Sequence, residues 1–175
     1  PRSDWNGALS APYEMVLNDL ESKGYDVKFT RVRSVEGLIS AIGRFTKDRP
    51  ADLLLIGGHG TQFSIQFGND EERKFGEHPK LWLHPDKRFS TFEQLRPISD
   101  RLVSDGTIVL FSCSTGKGEA NKSNVANALK DLFPQAARIL APQVASGQEL
   151  VFNNKGEVVQ TEFYENILDE KGVVS

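Results

Sequence analysis

The sequence predicts a single α/β domain with a mostly parallel central sheet. Two runs of apolar residues, 53–56 and 107–111, are continuous rather than alternating, which is typical of strands that are buried on both faces. Segments with helical spacing separate these runs from each other and from a third short run at 137–141. Strands that alternate with helices indicate a doubly wound sheet with helices on both faces. A length of 175 residues fits one domain.

The remaining elements follow from local patterns. The spacing of Met15, Val16 and Leu20 predicts a helix over 11–23, with Ser10 as N-cap and Gly24 as its end. Further helices are expected at 34–49, 91–104 and 121–133, a strand with one wetter face at 25–32, and a hairpin whose turn is 153–156.

Residues 61–88 interrupt this alternation directly after the first apolar run. The stretch is polar and contains glycines, prolines and a charged run at 70–74. Within it, residues 63–67 and 81–83 are expected to pair as a hairpin. A long excursion beside a core strand is often functional.

Composition narrows the classes of function. A net charge of −3 gives no support for nucleic-acid binding or for anionic membranes, which need basic patches. No apolar run approaches the roughly 18 residues that span a bilayer, and no signal-peptide pattern is visible. Cys113 is the only cysteine, so neither a disulfide within the chain nor a Cys-rich zinc site can form. A free thiol is most compatible with the cytoplasm, while a secreted effector or toxin stays open.

Two polar segments share one form and lie where a parallel sheet binds its ligands. The run 53–56 leads into Gly57-Gly58-His59-Gly60, and the run 107–111 leads into Ser112-Cys113. Ligands of open parallel sheets bind outside the carboxyl ends of the strands, and neighbouring strands lie about 4.8 Å apart. We therefore expect His59 and Cys113 to meet at one edge of the sheet.

Thiol chemistry needs this arrangement. An ordinary thiol is only a few per cent ionised at neutral pH, and a nearby imidazole can take its proton. The backbone N–H groups of Gly60 and Cys113 can then stabilise a developing oxyanion. The alternative is that Cys113 packs in the core and that His59 is an ordinary turn residue.

The blocks LLLIGGHG (53–60) and TIVLFSCSTG (107–116) resemble the caspase-like superfamily of cysteine peptidases, which includes caspases, legumains, gingipains, separases and the bacterial CHAT domains. The resemblance runs from residues 3–9 to residues 137–142. It implies a three-layer α/β/α sandwich and a Cys-His dyad that needs no metal or other cofactor, with His59 as base, Cys113 as nucleophile, and Gly60 and Cys113 as oxyanion donors. Caspases often carry Gln-Ala-Cys-Arg-Gly at the nucleophile, so the implied branch is bacterial or effector-type and the caspase preference for Asp is not carried over.

The resemblance also suggests substrate-binding residues and partners. Asp4, in a loop like the one after the first strand of that fold, would favour a basic substrate side chain; the alternative, a simple Asx turn with Gly7, is the more common use of such an Asp. Ser146 could line the substrate groove or belong to an ordinary loop. The implied partner is a protein or peptide substrate; autoprocessing, in which the chain itself is the substrate, stays open.

The chain is expected to be a piece of a longer protein with other domains, since it begins at Pro1 and the first strand of the fold would precede it. Two other functions stay open at this point. One is a catalytically silent interaction or regulatory module of the same fold. The other is a different doubly wound hydrolase or transferase in which Cys113 is structural. A metal site built from His78, His84, Glu77 and Asp86 is an alternative to a solvated loop.

Overall fold

A computed structural model describes residues 10–68, 76–86, 90–118, 122–144 and 146–165, and the side chains of these residues apart from 10–12, 146–148 and 162–165. The helices are α1 (Ser10–Ser22), α2 (Val35–Phe45) and α3 (Val125–Leu132), with a 3-10 helix at Phe92–Ile98. The strands are β1 (Ala51–Gly57), β2 (His59–Thr61), β3 (Ser64–Gln66), β4 (Lys80–Trp82), β5 (Leu102–Phe111), β6 (Arg138–Leu140), β7 (Ser146–Phe152) and β8 (Val158–Glu165). None of the described helices is long and apolar enough to cross a bilayer.

The central sheet has the strand order β1-β5-β6, and both ladders are parallel. Ile56 pairs with Leu110 and Gly57 with Phe111, so β1 and β5 end side by side. The α/β class and the parallel pairing of the two apolar runs are confirmed. A separate antiparallel sheet, β2-β3-β4, follows β1 directly, and β7 pairs with β8. The expected hairpins at 63–67 with 81–83 and around 153–156 are therefore confirmed.

Two apolar clusters lie on opposite faces of the central sheet, because side chains along a strand alternate in direction. Ile108 and Leu110 belong to the cluster that includes α2, the 3-10 helix and α3. Val109 and Phe111 belong to the cluster that includes α1, β7 and β8. Helices therefore cover both faces of the sheet, as the continuous apolar runs indicated.

Capping residues account for where the predicted helices begin and end. Ser34 has extended backbone angles and accepts the Gly37 N–H, which starts α2 as expected. Asn124 does the same for α3 by accepting the Asn127 N–H. Gly24 adopts a φ of +87° directly after α1 and thereby ends it. Ser10 is the first residue of α1 rather than its N-cap.

Two predictions were wrong. Residues 25–32 form no ladder with any described strand, because local alternation cannot supply the partner strand that pairing requires. The expected helix at 91–104 is a 3-10 helix that ends at Ile98, and β5 already begins at Leu102. Pro97 lies inside this short helix, and a proline removes a backbone donor that a longer α-helix needs.

Candidate active site

His59 and Cys113 lie at the same edge of the central sheet. His59 begins β2, two residues after the end of β1, and Cys113 lies in the turn that follows β5. The Gly58 N–H donates to the Phe111 carbonyl at 3.1 Å, which joins the two strand ends. Both residues are half-buried, and the Nε2 atom of His59 is shielded from solvent. The predicted convergence of the two segments is therefore present in the backbone.

Gly60 brings β2 into direct contact with the turn that carries Cys113. A Cβ atom on Gly60 would lie 2.5 Å from the Cys113 carbonyl oxygen and 2.8 Å from its nitrogen. Real Cβ atoms do not approach backbone so closely. Only glycine fits at this position, because any side chain would push the two segments apart.

The N–H group of Gly60 points away from the neighbouring strand β3. Thr61 and Ser64 pair on either side of a two-residue turn, and Gly60 pairs with Ile65 one step further from it. Pairs in an antiparallel ladder alternate between hydrogen-bonded and non-hydrogen-bonded. Since Thr61 and Ser64 close the turn, Gly60 belongs to a non-hydrogen-bonded pair. Its N–H is therefore directed out of the β2-β3 ladder.

The turn that carries Cys113 is fixed on both sides. Ser114 has a φ of 58°, in the left-handed region that non-glycine residues rarely adopt. Its N–H donates to the Val144 carbonyl at 3.2 Å, and its carbonyl accepts the Lys117 N–H at 3.0 Å. Strained residues of this kind often accompany functional sites. Apart from the turn-forming Ser-Thr-Gly at 114–116, no sequence pattern indicates this conformation.

A buried hydroxyl lies next to Cys113. Ser112 is 2% exposed, and its Oγ has no hydrogen-bond partner among the residues that the structure describes. Its carbonyl accepts the Thr115 hydroxyl at 2.9 Å. An unsatisfied buried hydroxyl lowers the stability of the fold by about 1–3 kcal/mol. Sequence reasoning did not identify this hydroxyl beside Cys113.

The turn between β2 and β3 is tied to the start of α3. The Gln62 carbonyl accepts the Val125 N–H, and the Gln62 side chain donates to the Ser123 carbonyl, both at 3.0 Å. The Ala126 N–H donates to the Thr115 carbonyl at 3.2 Å. These bonds hold β2 and the Cys113 turn in one fixed arrangement, because both segments bind the same helix end.

The other predicted site residues are Asp4, Ser146 and the residues of the alternative metal site. Asp4 lies outside the described residues. Ser146 is the first residue of β7, where its backbone pairs with Glu165, so the expected loop is a strand and its side chain lies outside the description. The Nδ1 atom of His78 lies 2.6 Å from a carboxylate oxygen of Glu36, and the Nδ1 atom of His84 accepts the Asp86 N–H at 3.0 Å. The described part of the chain contains no cluster of three or more metal-ligating side chains.

Comparison with protein-family models, with curated proteins and with solved structures finds no match to this chain.

Proposed function

We propose that this chain is a cysteine endopeptidase domain with a caspase-like three-layer sandwich, as a bacterial or effector-type member of that superfamily. The single observation that carries the proposal is the contact of Gly60 with the Cys113 backbone. It places the His-Gly segment against the thiol-bearing turn at the carboxyl ends of two paired parallel strands. The proposed substrate is a protein or peptide, and the chemistry needs no cofactor.

The proposed reaction has two halves. In the first, His59 takes the thiol proton of Cys113, and the sulfur attacks the carbonyl carbon of a peptide bond. The tetrahedral oxyanion accepts the N–H groups of Gly60 and Cys113. It collapses to a thioester as the imidazolium gives its proton to the leaving amine. In the second half, His59 deprotonates water, which attacks the thioester, and the acid product leaves with the thiol restored.

The catalytic test compares the wild-type chain with Cys113→Ala on a general protein substrate and on the chain itself. We expect complete loss of cleavage in Cys113→Ala, because no other thiol exists in the chain. Cys113→Ser is a second variant of similar shape that replaces the thiol with a hydroxyl, and we expect it to lose cleavage as well. Cleavage by Cys113→Ala at the wild-type rate would contradict the proposal.

One observation favours a second candidate, a catalytically silent interaction module of the same fold. Gly60 faces the Cys113 backbone, and neighbouring residues of a strand point to opposite faces. Regular strand geometry at β2 therefore directs the His59 imidazole away from that backbone, and a reactive dyad requires a departure from it. The rate at which Cys113 is alkylated separates the two candidates, because a silent module needs no activated thiol.

A further inference from the structure

A cavity of about 360 Å³ lies between α2 and the segment that leads into this helix. The residues of α2 that line it, from Gly37 to Arg44, lie on one face of the helix, at the spacing of successive turns. The other wall is formed by residues 30–34, and a Cβ atom on Gly37 would lie 3.6 Å from the Cβ atom of Val32. Small-molecule sites usually measure about 300–1,000 Å³, so the cavity has the size of a small-ligand site.

The cavity is strongly basic. Arg31 and Arg33 line it from the incoming segment, Arg44 lines it from α2, and Glu77 contributes a carboxylate. Three positive charges and one negative charge leave an excess of two positive charges in a small volume. The whole chain has a net charge of −3, so this concentration of positive charge is local and opposite in sign to the rest of the molecule.

The described residues do not neutralise these three guanidinium groups. None of the ion pairs between described side chains involves them. By contrast, Arg49 and Arg96 each pair with a carboxylate three residues away. The guanidinium of Arg44 lies over the Phe45 ring instead, 4.8 Å from the ring centroid. Like charges in one cavity repel each other, so an anion that binds between them removes this repulsion.

The number of donors favours linked phosphates over a single carboxylate. A guanidinium group offers several N–H donors and binds oxyanions through two parallel hydrogen bonds. Three such groups therefore offer more donors than the two oxygens of one carboxylate can accept. Two or three linked phosphates carry several negative charges and enough oxygens for all three. The hydroxyls of Thr30 and Ser40, which also line the cavity, can donate to the remaining oxygens.

We infer that this cavity binds a small molecule that carries two or three linked phosphate groups, through Arg31, Arg33 and Arg44. Glu77 is a lining carboxylate that opposes such a ligand, so its removal strengthens binding. The inference does not depend on the proposed peptidase activity, because the candidate active site contains none of these four residues.

The test measures the binding of inorganic triphosphate to the 175-residue chain by isothermal titration calorimetry, at low salt and without divalent cations. Arg31→Gln and Arg44→Gln change exposed side chains, and such changes have little effect on stability. We expect each to raise the dissociation constant by at least about tenfold, as the loss of a hydrogen bond to a charged group does. Glu77→Gln should lower it by about two- to fivefold, because a repelling carboxylate is removed.

Arg138→Gln is the matched control. Arg138 is an exposed arginine of β6 that does not line the cavity, so its replacement should leave the dissociation constant unchanged. Equal weakening by Arg31→Gln, Arg44→Gln and Arg138→Gln would contradict the inference, because it would indicate a diffuse attraction to basic side chains. Circular dichroism of each variant establishes that the protein under test is folded.

Two further ligands identify the source of the phosphates. If a nucleoside triphosphate binds more tightly than inorganic triphosphate, the natural ligand is a nucleotide. If it binds equally or less tightly, the cavity recognises the phosphate chain alone, and both results support the inference. A hexaglutamate peptide that binds the wild-type protein as tightly as triphosphate would overturn the assignment to phosphate.

Absence of triphosphate binding to the wild-type protein would also contradict the inference. It would mean that carboxylates of the chain itself neutralise the three arginines. None of these measurements involves Cys113, so a failure of this site and a failure of the peptidase proposal are seen separately.

Discussion

The two edges of β1 are built differently. The inner edge pairs with β5 over most of its length, and the residues that follow both strands form the candidate active site. The outer edge borders a groove of about 790 Å³, which lies between β1 and residues 23–32, and it carries half-buried leucines. The difference teaches that the site depends on a single well-formed strand pair, while no described strand pairs with the outer edge of β1. Three comparisons between variants test this contrast, from the largest expected effect to the smallest.

Gly60→Ala tests the contact between Gly60 and the Cys113 backbone, at the end of the inner edge. The new Cβ would overlap the Cys113 backbone, so the turn must shift and the two proposed oxyanion donors lose their alignment. Loss of one such donor costs about 100- to 1,000-fold in turnover, and we expect a fall in kcat of this size, measured with a peptide substrate.

Gly43→Ala is the matched control for this change. Gly43 lies in α2, and nothing lies within 4 Å of the position of its Cβ. Alanine is favoured over glycine in a helix by about 0.5–1 kcal/mol, so this variant should keep full turnover and gain a little stability. If Gly60→Ala turned over substrate within twofold of the wild-type rate, the tight contact at Gly60 would not be needed for catalysis.

Leu110→Ala and Leu54→Ala compare the two edges through the same chemical change. Leu110 is fully buried in β5, whereas Leu54 is half-buried in β1 and lines the groove. A buried Leu→Ala change costs about 2–5 kcal/mol because of the cavity it leaves. We expect Leu110→Ala to reduce the free energy of unfolding by an amount near the top of this range, and Leu54→Ala to reduce it by at least about 1 kcal/mol less. Urea unfolding measures both losses. Equal losses would mean that the outer edge is as closely packed as the inner one.

Glu36→Gln tests a weaker contact. It joins α2, which lines the groove, to the segment that leads into β4. Glu36 accepts the His78 backbone N–H at 2.9 Å and pairs with its ring at 2.6 Å. Burial acts against the charge, but the hydrogen bonds from His78 outweigh it and hold the pKa of Glu36 below its usual value. The contact between Glu36 and His78 therefore stabilises the fold at pH values above the ordinary glutamate pKa. This stabilisation is lost as the pH falls through the lowered pKa of Glu36.

We expect Glu36→Gln to lower the free energy of unfolding at pH 7 by less than about 1 kcal/mol, because both side chains are about 40% exposed. The difference from wild type should disappear as acid protonates Glu36. Glu93→Gln is the control, since the Glu93–Arg96 pair is more exposed and should contribute nothing measurable. A deficit that persists unchanged at pH 3 would show that the pKa of Glu36 is not involved.

The sequence predicted the parts of the fold that depend on composition along one strand or helix. The continuous apolar runs at 53–56 and 107–111 identified β1 and β5 as parallel neighbours, because only strands buried on both faces lack alternation. Ser34 and Gly24 marked helix ends through their local chemistry. The same patterns predicted that His59, Gly60 and Cys113 lie at one edge of the sheet.

The parts that failed depend on tertiary partners. Residues 25–32 alternate like a strand, yet they have no ladder because the groove separates them from β1. The left-handed φ of Ser114 and the buried hydroxyl of Ser112 arise from how the turn packs on its neighbours. No periodicity in the sequence encodes such contacts.

The central claim is that His59 activates Cys113, and the alkylation rate of Cys113 tests it most directly. Because the chain has one cysteine, an iodoacetamide-type reagent reports on that thiol alone. At pH 6.5, where an ordinary thiol is about 1% ionised, we expect native wild-type protein to react at least about tenfold faster than urea-unfolded protein. His59→Ala should lose this advantage, and His84→Ala should keep it. Equal rates for wild type, His59→Ala and the unfolded chain would contradict the account and favour the silent module.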